Sequence, residues 1–572
     1  MWCDRWDRID ADDRAAMRAD FATWTAPPKI AVLMPVYETN PAFLEAAIAS
    51  VRDQTYPHWM LAIADDASSS ADITRILTRV MAEDHRVRFV RRPTNGGVAA
   101  ASNTALDLVE ADWVALLDHD DLLPPHALYM VARTIREHPD AQIIYSDEDN
   151  VDETGRRHSP YFRSDFDLDL LLGQNAISHL GVYRTSAVRE VGGFRSAFEG
   201  SQDLDLALRV AGRSRPDQIR HVPHVLYHWR KVASGSAFSE RQPDRQAVAA
   251  RAAVEDFLRS KAIAAEVTLS PRPPFVNTRR LPPATLPHVT VIVPTRDRLD
   301  LLRPCIDSLL RDTRYVSFDV MIIDNGSVTS EINSHFQAFA GHRQVSIVRD
   351  SRPFNYSAIH NRAVLEARGE ITAFLNNDTE VIDGDWLTAM VSHAVRPEVG
   401  AVGAKLLYPD GTIQHAGVVT GIGGSAQHVF AHSHGLGYFA RADLTHAVAA
   451  VTGACLVMRK ANYLAVGGMN ENLGVAYNDV DLCLRLRALG LLIIYSPHAV
   501  LIHKESQSRG SDNRPGREAD ARAELEHLRA TWGEFFDNDP YYNPNLTIAS
   551  LDYGLAEPPR KLLPWRQRLD PN

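Results

Sequence analysis

The chain has little cysteine, no long apolar run and no surplus of positive charge. Its four cysteines, Cys3, Cys305, Cys455 and Cys483, are scattered through 572 residues and form no C-x-x-C pair. That spacing proposes neither a disulfide framework nor a cysteine metal site, and reduced thiols in a cytoplasmic protein are the expectation. The longest apolar candidate, Leu491–Ile502, is interrupted by Ser496, Pro497 and His498. It falls short of the ~18 residues expected of a spanning helix and reads as a buried strand and its flank. The N-terminus opens Trp2-Cys3-Asp4-Arg5, without the basic start and apolar middle of a secretion signal. A formal net charge of −11 argues against a nucleic-acid partner, because phosphate backbones are held by an excess of Lys and Arg.

What is present is an ordinary soluble composition, 45% hydrophobic and 23% charged, at a length that implies two or more domains. The chain also repeats itself. Pro35 follows the apolar run Ile30–Met34, as Pro294 follows Val289–Val293. Asp65-Asp66 ends the run Leu61–Ala64, as Asp324-Asn325 ends Val320–Ile323. Asn103 matches Asn361, Asp120 matches Asp378, Gly192-Gly193-Phe194 matches Gly467-Gly468-Met469, and His228 matches His503. The second copy carries extra residues between its acidic motif and its Gly-Gly element.

Short apolar runs followed by turns and helical stretches such as Phe43–Val51 and Leu301–Leu310 read as βα units with a parallel sheet. Ligands of such sheets bind beyond the carboxyl ends of the strands, where Tyr37-Glu38, Asp65-Asp66 and the cluster at Asp118 fall. The prolines between Ser270 and Pro287 discourage regular structure. The expected division is a helical segment at 1–26, domains at 27–269 and 288–540, a linker at 270–287 and a tail at 541–572. Trp2, Trp6, Ile9, Met17, Phe21 and Trp24 recur at near-helical spacing and are expected to pack on a domain rather than lie on a membrane surface.

In copy one, Trp113–Leu117 runs into Asp118-His119-Asp120-Asp121, and in copy two Ile371–Leu375 runs into Asn376-Asn377-Asp378-Thr379-Glu380. Carboxylates clustered past a buried strand repel and raise each other's pKa. A divalent cation removes that penalty, and oxygen ligands favour Mg²⁺ or Mn²⁺ completed by substrate phosphates.

The order Pro35-Val36-Tyr37-Glu38, Asp65-Asp66, Asn95-Gly96-Gly97 with Asn103, then Asp118-x-Asp120, resembles the nucleotide-sugar half of family 2 glycosyltransferases. The resemblance spans both copies and implies two tandem GT-A domains, an α/β, Rossmann-like fold. It implies that Pro35, Tyr37, Glu38, Asp66 and Asp118 meet a nucleotide, as Pro294, Arg296, Asp297, Asn325 and Asn376 do in copy two. Asp120 and Asp378, with His228 and His503, become the metal or diphosphate contacts. Asp203 in Gln202-Asp203-Leu204-Asp205 and Asp479 in Asn478-Asp479-Val480-Asp481 match the family's base, an aspartate at a helix start that takes the acceptor proton. Gln202 and Asn478 depart from the family's Glu. Asp205, Asp481, Gln414 and His415 are placed on the acceptor side. Arg230 and the Ser506–Arg509 run are further candidates for the diphosphate, and Ser146–Asp149 for the acceptor or nucleotide.

The pattern is similar to bifunctional bacterial transferases of O-antigen and other surface polysaccharides, some of them rhamnosyltransferases. It implies a UDP-, dTDP- or GDP-linked donor and an acceptor linked to polyprenyl diphosphate at the inner face of the cytoplasmic membrane, with room for peripheral contact there. His428, His432 and His434 lack a cysteine partner and read as part of an acceptor-facing lid rather than a zinc site. Two rivals remain at this stage. A sugar-phosphate nucleotidylyltransferase would want a Gly-rich basic loop after the first strand, which Pro35–Glu38 does not supply. A protein with one degenerate, scaffolding domain would more readily have lost copy two, given Asn325, Asn376 and Asn478.

Overall fold

The structure, a computed structural model, describes residues 2–231, 243–272, 274–505 and 517–566. In the first domain, β1 (Ile30–Val36) and β2 (Trp59–Asp65) are buried at every residue, the signature of parallel strands covered on both faces. With β3 (Val87–Arg91), β4 (Trp113–Leu116), β5 (Ile143–Val151), β6 (Arg157–Tyr161), β7 (Gly181–Arg184) and β8 (Ile219–Arg230) they form an eight-stranded sheet ordered β3-β2-β1-β4-β7-β5-β6, with β8 on β5. The strands β1 to β4 are parallel as the βα pattern predicts. The far half is mixed, a departure from that prediction: β7 runs antiparallel to β4 and β5.

The hairpin β9 (Ala265–Leu269) and β10 (Val276–Arg280) follows the helix Pro243–Ser260. The stretch expected to be unstructured linker therefore holds a strand. Arg280 lies 3.5 Å from Asp169 of the first domain and Arg279 3.0 Å from Asp385 of the second, so the crossing is pinned on both sides.

The second domain comprises β11 (Val289–Thr295), β12 (Phe318–Asp324), β13 (Val345–Arg349), β14 (Ile371–Leu375), β15 (Thr379–Val381), β16 (Val399–Leu407), β17 (Ile413–His415), β18 (Val418–Thr420), β19 (Ala426–His428), β20 (His446–Ala447), β21 (Cys455–Arg459) and β22 (Leu492–His503). Its main sheet, β13-β12-β11-β14-β21-β16-β22-β15, has the same backbone order as the first. The extra residues of copy two form β17, the β18–β19 pair and β20.

The two domains share a buried seam. Arg396 places Nη1 2.8 Å from Asp169 Oδ2, with the side chains only 9% and 3% exposed, and Ala447 N–H donates to Asp167 Oδ2 at 2.6 Å. The tail is no loose appendage. Asn543 Nδ2 donates to Asp147 and to Arg163 O in the first domain, at 2.9 and 2.8 Å, and Trp565 Nε1 donates to Asp13 Oδ1 at 2.8 Å. Met17 and Trp24 join the first-domain core, and Trp2 stands edge-on to Phe162, so the N-terminal aromatics pack on the domain as expected. Among the described residues no helix is long and apolar enough to cross a membrane.

Candidate active sites

Both acidic motifs lie at the ends of their central strands, and each middle residue ties the motif back to the first strand. His119 Nδ1 is 3.1 Å from Pro35 O, and Asn377 Nδ2 donates to Thr295 Oγ1 at 2.9 Å. Tyr37 and Arg296 stand exposed beside these ends. Glu38 and Asp297 both adopt positive φ, 43° and 55°, because each carboxylate turns across to backbone N–H groups of the neighbouring loop: Ser69 at 2.6 Å for Glu38, and Val328 and Thr329 at 2.6 and 3.0 Å for Asp297.

Asp66 and Asn325 occupy one place with opposite polarity. Asp66 accepts from Gly96 and Gly97 N–H at 3.0 and 2.8 Å and pairs with Arg92. Asn325 instead donates Nδ2 to the carbonyls of Asp350 and Arg352 at 2.9 and 3.0 Å, leaving its buried Oδ1 without a protein partner.

In copy one, Asp118 is the open carboxylate, its side chain 40% exposed and its Oδ2 3.5 Å from His179 Nε2. Desolvation works to raise its pKa, but His179 wins and holds it below the ordinary value. Burial and the neighbouring Asp118 raise Asp120, while burial, Asp120 and Asp118 drive Asp121 well up. Asp121 is structural: it accepts from Tyr227 OH and from Arg230 N–H, each at 2.7 Å. Arg230 reaches the motif, donating Nε to Asp120 O at 2.7 Å. In copy two, Asp378 and His503 are both buried, with Oδ1 and Nε2 3.3 Å apart, and Asn376 Nδ2 lies 3.4 Å from the same nitrogen.

Among the described residues no three His, Cys, Asp or Glu side chains converge into a complete metal site. A cation would therefore draw one or two ligands from the protein and the rest from phosphate oxygens and water, the usual mode for Mg²⁺. Asp118 with Asp120, and Asp378 with His503, fit that requirement.

The two aspartates at helix starts are both held toward the motif, by different means. Asp203 Oδ2 accepts from Asn175 Nδ2 at 2.7 Å. Asp479 Oδ2 accepts from Gly453 N–H at 2.7 Å and Oδ1 from Val480 N–H at 2.8 Å. In each copy the segment entering the strand beside the motif bridges the helix-start aspartate and the motif: Asn175 to His179 link Asp203 to Asp118, and Gly453-Ala454 links Asp479 to Asn376, whose N–H donates to Ala454 O at 3.1 Å. Burial raises the Asp203 pKa against the opposing pull of His179.

Several expected residues stand elsewhere. Asp205 and Asp481, expected on the acceptor side, are buried and face away: Asp205 pairs with Arg195 and Arg209, and Asp481 with Arg485 and Trp532 Nε1. Arg209 then donates to the carbonyls of Val191 and Gly193, and Arg485 to those of Val466 and Gly468. The His228 backbone pairs with Leu122 beside the acidic motif, but its side chain is engaged elsewhere: Nδ1 bonds to Asp149, which also holds Arg157. Ser146–Asp149 is a strand segment with every carboxylate paired, Glu148 to Trp229 Nε1 at 2.7 Å and Asp147 to His221 Nε2 at 2.8 Å.

His415 is fully buried, its Nδ1 2.8 Å from Ala404 O and its Nε2 accepting Thr452 N–H at 3.3 Å. It braces the segment that holds Asp479 instead of facing a substrate. Gln414 does reach the site edge, donating to Glu505 Oε2 at 3.3 Å beside His428. Ser506–Arg509 lie outside the described residues. Sequence reasoning missed Asn175, His179, Tyr227 and Gly453; the one signal was a polar cluster, Gln174-Asn175 and Ser178-His179, just ahead of an apolar strand.

Asn103 and Asn361 are clasps. Asn103 pairs both amide atoms with Phe194 N–H and C=O, each at 2.8 Å, and Asn361 does the same with Met469 at 2.8 and 2.9 Å. A Cβ on Gly193 or Gly468 would come within 2.4 Å of the asparagine Oδ1, which is why glycine stands there.

Two matching α/β domains, each with an acidic motif at the end of its central strand and an aspartate at a helix start linked to it through one short segment, define a tandem GT-A glycosyltransferase architecture. A model described as "Glycosyl transferase family 2" matches residues 31–192 and 290–463. The chain belongs to this family. It is 46% identical over 537 residues to "Uncharacterized protein y4gI" of Sinorhizobium fredii, covering 93% of this chain and 59% of that one. It is 39% identical over 535 residues to "O-antigen biosynthesis protein RfbC" of Myxococcus xanthus, covering 93% and 41%. The chain thus spans about half the length of these relatives. Among solved structures, a mannosyltransferase from Pyrobaculum calidifontis in complex with GDP-Man and Mn²⁺ aligns at 18% identity with a TM-score of 0.35, covering 46% of this chain and 70% of that one.

Proposed function

We propose that the chain is a two-site inverting glycosyltransferase. Each site moves a sugar from a nucleoside-diphosphate donor, UDP-, dTDP- or GDP-linked, to a growing surface polysaccharide carried on a polyprenyl-diphosphate lipid. The observation that carries this reading is the repeated bridge from a helix-start aspartate to the acidic motif: Asp203 to Asp118 through Asn175–His179, and Asp479 to Asn376 through Gly453-Ala454.

In each site the aspartate takes the proton of the acceptor hydroxyl while that oxygen forms a bond to the anomeric carbon. The bond from that carbon to the diphosphate breaks on the opposite face, so one displacement inverts the centre. Pro35, Tyr37, Glu38, Asp66 and Asp118 line one nucleotide, and Pro294, Arg296, Asp297, Asn325 and Asn376 the other. Asp120 with Asp118, and Asp378 with His503, would hold a Mg²⁺ or Mn²⁺ ion. Such a cation offsets the charge that builds on the leaving diphosphate. The opposite polarity at Asp66 and Asn325 favours different bases or binding strengths in the two sites. A cytoplasmic protein, peripheral at the inner face of the cytoplasmic membrane, suits this role, and the division at 27–269 and 288–540 follows the two sites.

The reading in which domain two is only a scaffold loses ground to Asp479, which is held at its helix start by two backbone N–H donors. The test is calorimetric titration of the full chain with UDP, dTDP and GDP in Mg²⁺. Two binding events are expected, one removed by Asp120→Asn and the other by Asp378→Asn. A single event, unaffected by one of these changes, would refute the two-site reading.

A further inference from the structure

The imidazole at the acidic motif comes from different places in the two copies. In copy two it is His503, at the end of β22, 3.3 Å from Asp378. In copy one the residue matched by sequence, His228, is committed elsewhere: Asp149 binds its Nδ1 and also pairs with Arg157, which pairs with Asp7. Asp149 and Asp7 are 1% and 5% exposed, so turning His228 toward the motif would strand buried charge. Tyr227, one residue earlier, faces the motif instead and bonds to Asp121 at 2.7 Å.

His179 fills the gap. Its ring stacks on Tyr227 with centroids 4.6 Å apart and meets Trp229 edge-on at 5.0 Å, which fixes its plane. Nε2 lies 3.5 Å from Asp118 Oδ2. The other ring nitrogen, Nδ1, is buried without a protein partner in a side chain only 8% exposed. The matching position of copy two holds no histidine. Val182 of β7 pairs with Ala115, and Val457 of β21 pairs with the matching Ala373; three residues before each stand His179 and Ala454.

We propose that His179 is the residue of site one that contacts the diphosphate of the bound nucleotide sugar, the place that sequence matching gives to His228. This rests on the donor-binding reading above. Nε2, the nitrogen that faces the open carboxylate of Asp118, donates to a phosphate oxygen by a charge-assisted hydrogen bond. The same short segment orients the base through Asn175, so one stretch of chain sets both donor and proton acceptor in site one. Site two divides these tasks between Gly453 and His503.

The test uses the full chain with Asp378→Asn silencing site two, titrated calorimetrically with UDP, dTDP and GDP in Mg²⁺, with thermal melting as the folding check. His179→Ala should weaken the nucleotide that binds by about tenfold to a hundredfold, the loss of a hydrogen bond to a charged group. His179→Gln serves if the alanine variant fails to fold and should show a similar loss. His228→Gln should bind as the parent does. Unchanged affinity in both His179 variants, or a loss confined to His228→Gln, overturns the inference. Absence of any nucleotide binding in the Asp378→Asn parent would instead overturn the donor-binding reading on which it rests.

Discussion

The two domains agree where the chain supports its site and differ where the site meets substrate. Both use an asparagine to clasp the backbone after a Gly-Gly turn, and both tie the base helix to that turn through an Asp-Arg pair, Asp205–Arg209 and Asp481–Arg485. By contrast, Asp203 is held by a side-chain amide and Asp479 by a backbone N–H. The imidazole at the motif is His179 in one domain and His503 in the other. A clasp on a buried residue's backbone has few equivalent solutions, because each lost partner leaves a poorly solvated polar group. A side chain that reaches the site can be supplied from another strand, and this is how one fold comes to serve different ligands.

The largest effect should come from parting the domains. Arg396→Met leaves Asp169 buried with Arg280 as its remaining arginine among the described residues, and loss of about 3–5 kcal/mol is expected for a broken buried ion pair. Denaturant melting should then resolve two transitions where the parent has one; a single transition at the parent midpoint would mean that the seam is not coupling the domains.

Next come the clasps. Asn103→Ala and Asn361→Ala should each cost about 1–3 kcal/mol, the penalty for unpaired buried backbone groups. Asn361 should lose more, since it also accepts Tyr463 OH at 2.6 Å. Equal stability of both variants with the parent would show that the matched geometry contributes nothing.

The smallest effects separate the bases. Asn175→Ala should slow transfer at site one by roughly tenfold, the scale of one hydrogen bond to a charged group. Burial already raises the Asp203 pKa, so site one should lose rate on acidification above the ordinary aspartate value of about 3.9. Removing the Asn175 donor takes away a partner of the ionised form, so this acid limb should move further upward in the variant. The groups facing Asp203, His179 and Asp118, remain in place. An acid limb that moves down in Asn175→Ala would contradict this arrangement, and site two should show no change.

Much of this was legible in the sequence because apolar runs and strand-end carboxylates report β1, β2, β4 and their copies directly. Pro35, Asp66, Asp118 and Asp203 fall in one neighbourhood for that reason. The antiparallel half of each sheet was not legible, since pairing partners lie far apart in sequence. His228 failed for a specific reason. Both strand pairs shift register at the same place, β5–β8 from Ser146 to Glu148 and β16–β22 between Ala404 and Lys405, but Leu122 stands opposite His228 where the matching Glu380 stands opposite Ile502. His503 therefore corresponds to Trp229, one residue on from the sequence match, and alternate residues of a strand face opposite sides, so Tyr227 points into site one and His228 away from it. Asp205 and Asp481 misled in a simpler way. An acidic residue on the first turn of a helix looks alike in sequence whether it faces substrate or, as here, an arginine one turn on.

The claim that two working sites share this chain is tested most directly by comparing Asp203→Asn with Asp479→Asn in sugar transfer from UDP-, dTDP- and GDP-linked donors to lipid-linked acceptors. Loss of a base should cut its own step by about 10²–10⁴-fold. The account predicts that each variant loses a different transfer and keeps the other. One variant retaining both transfers would contradict it.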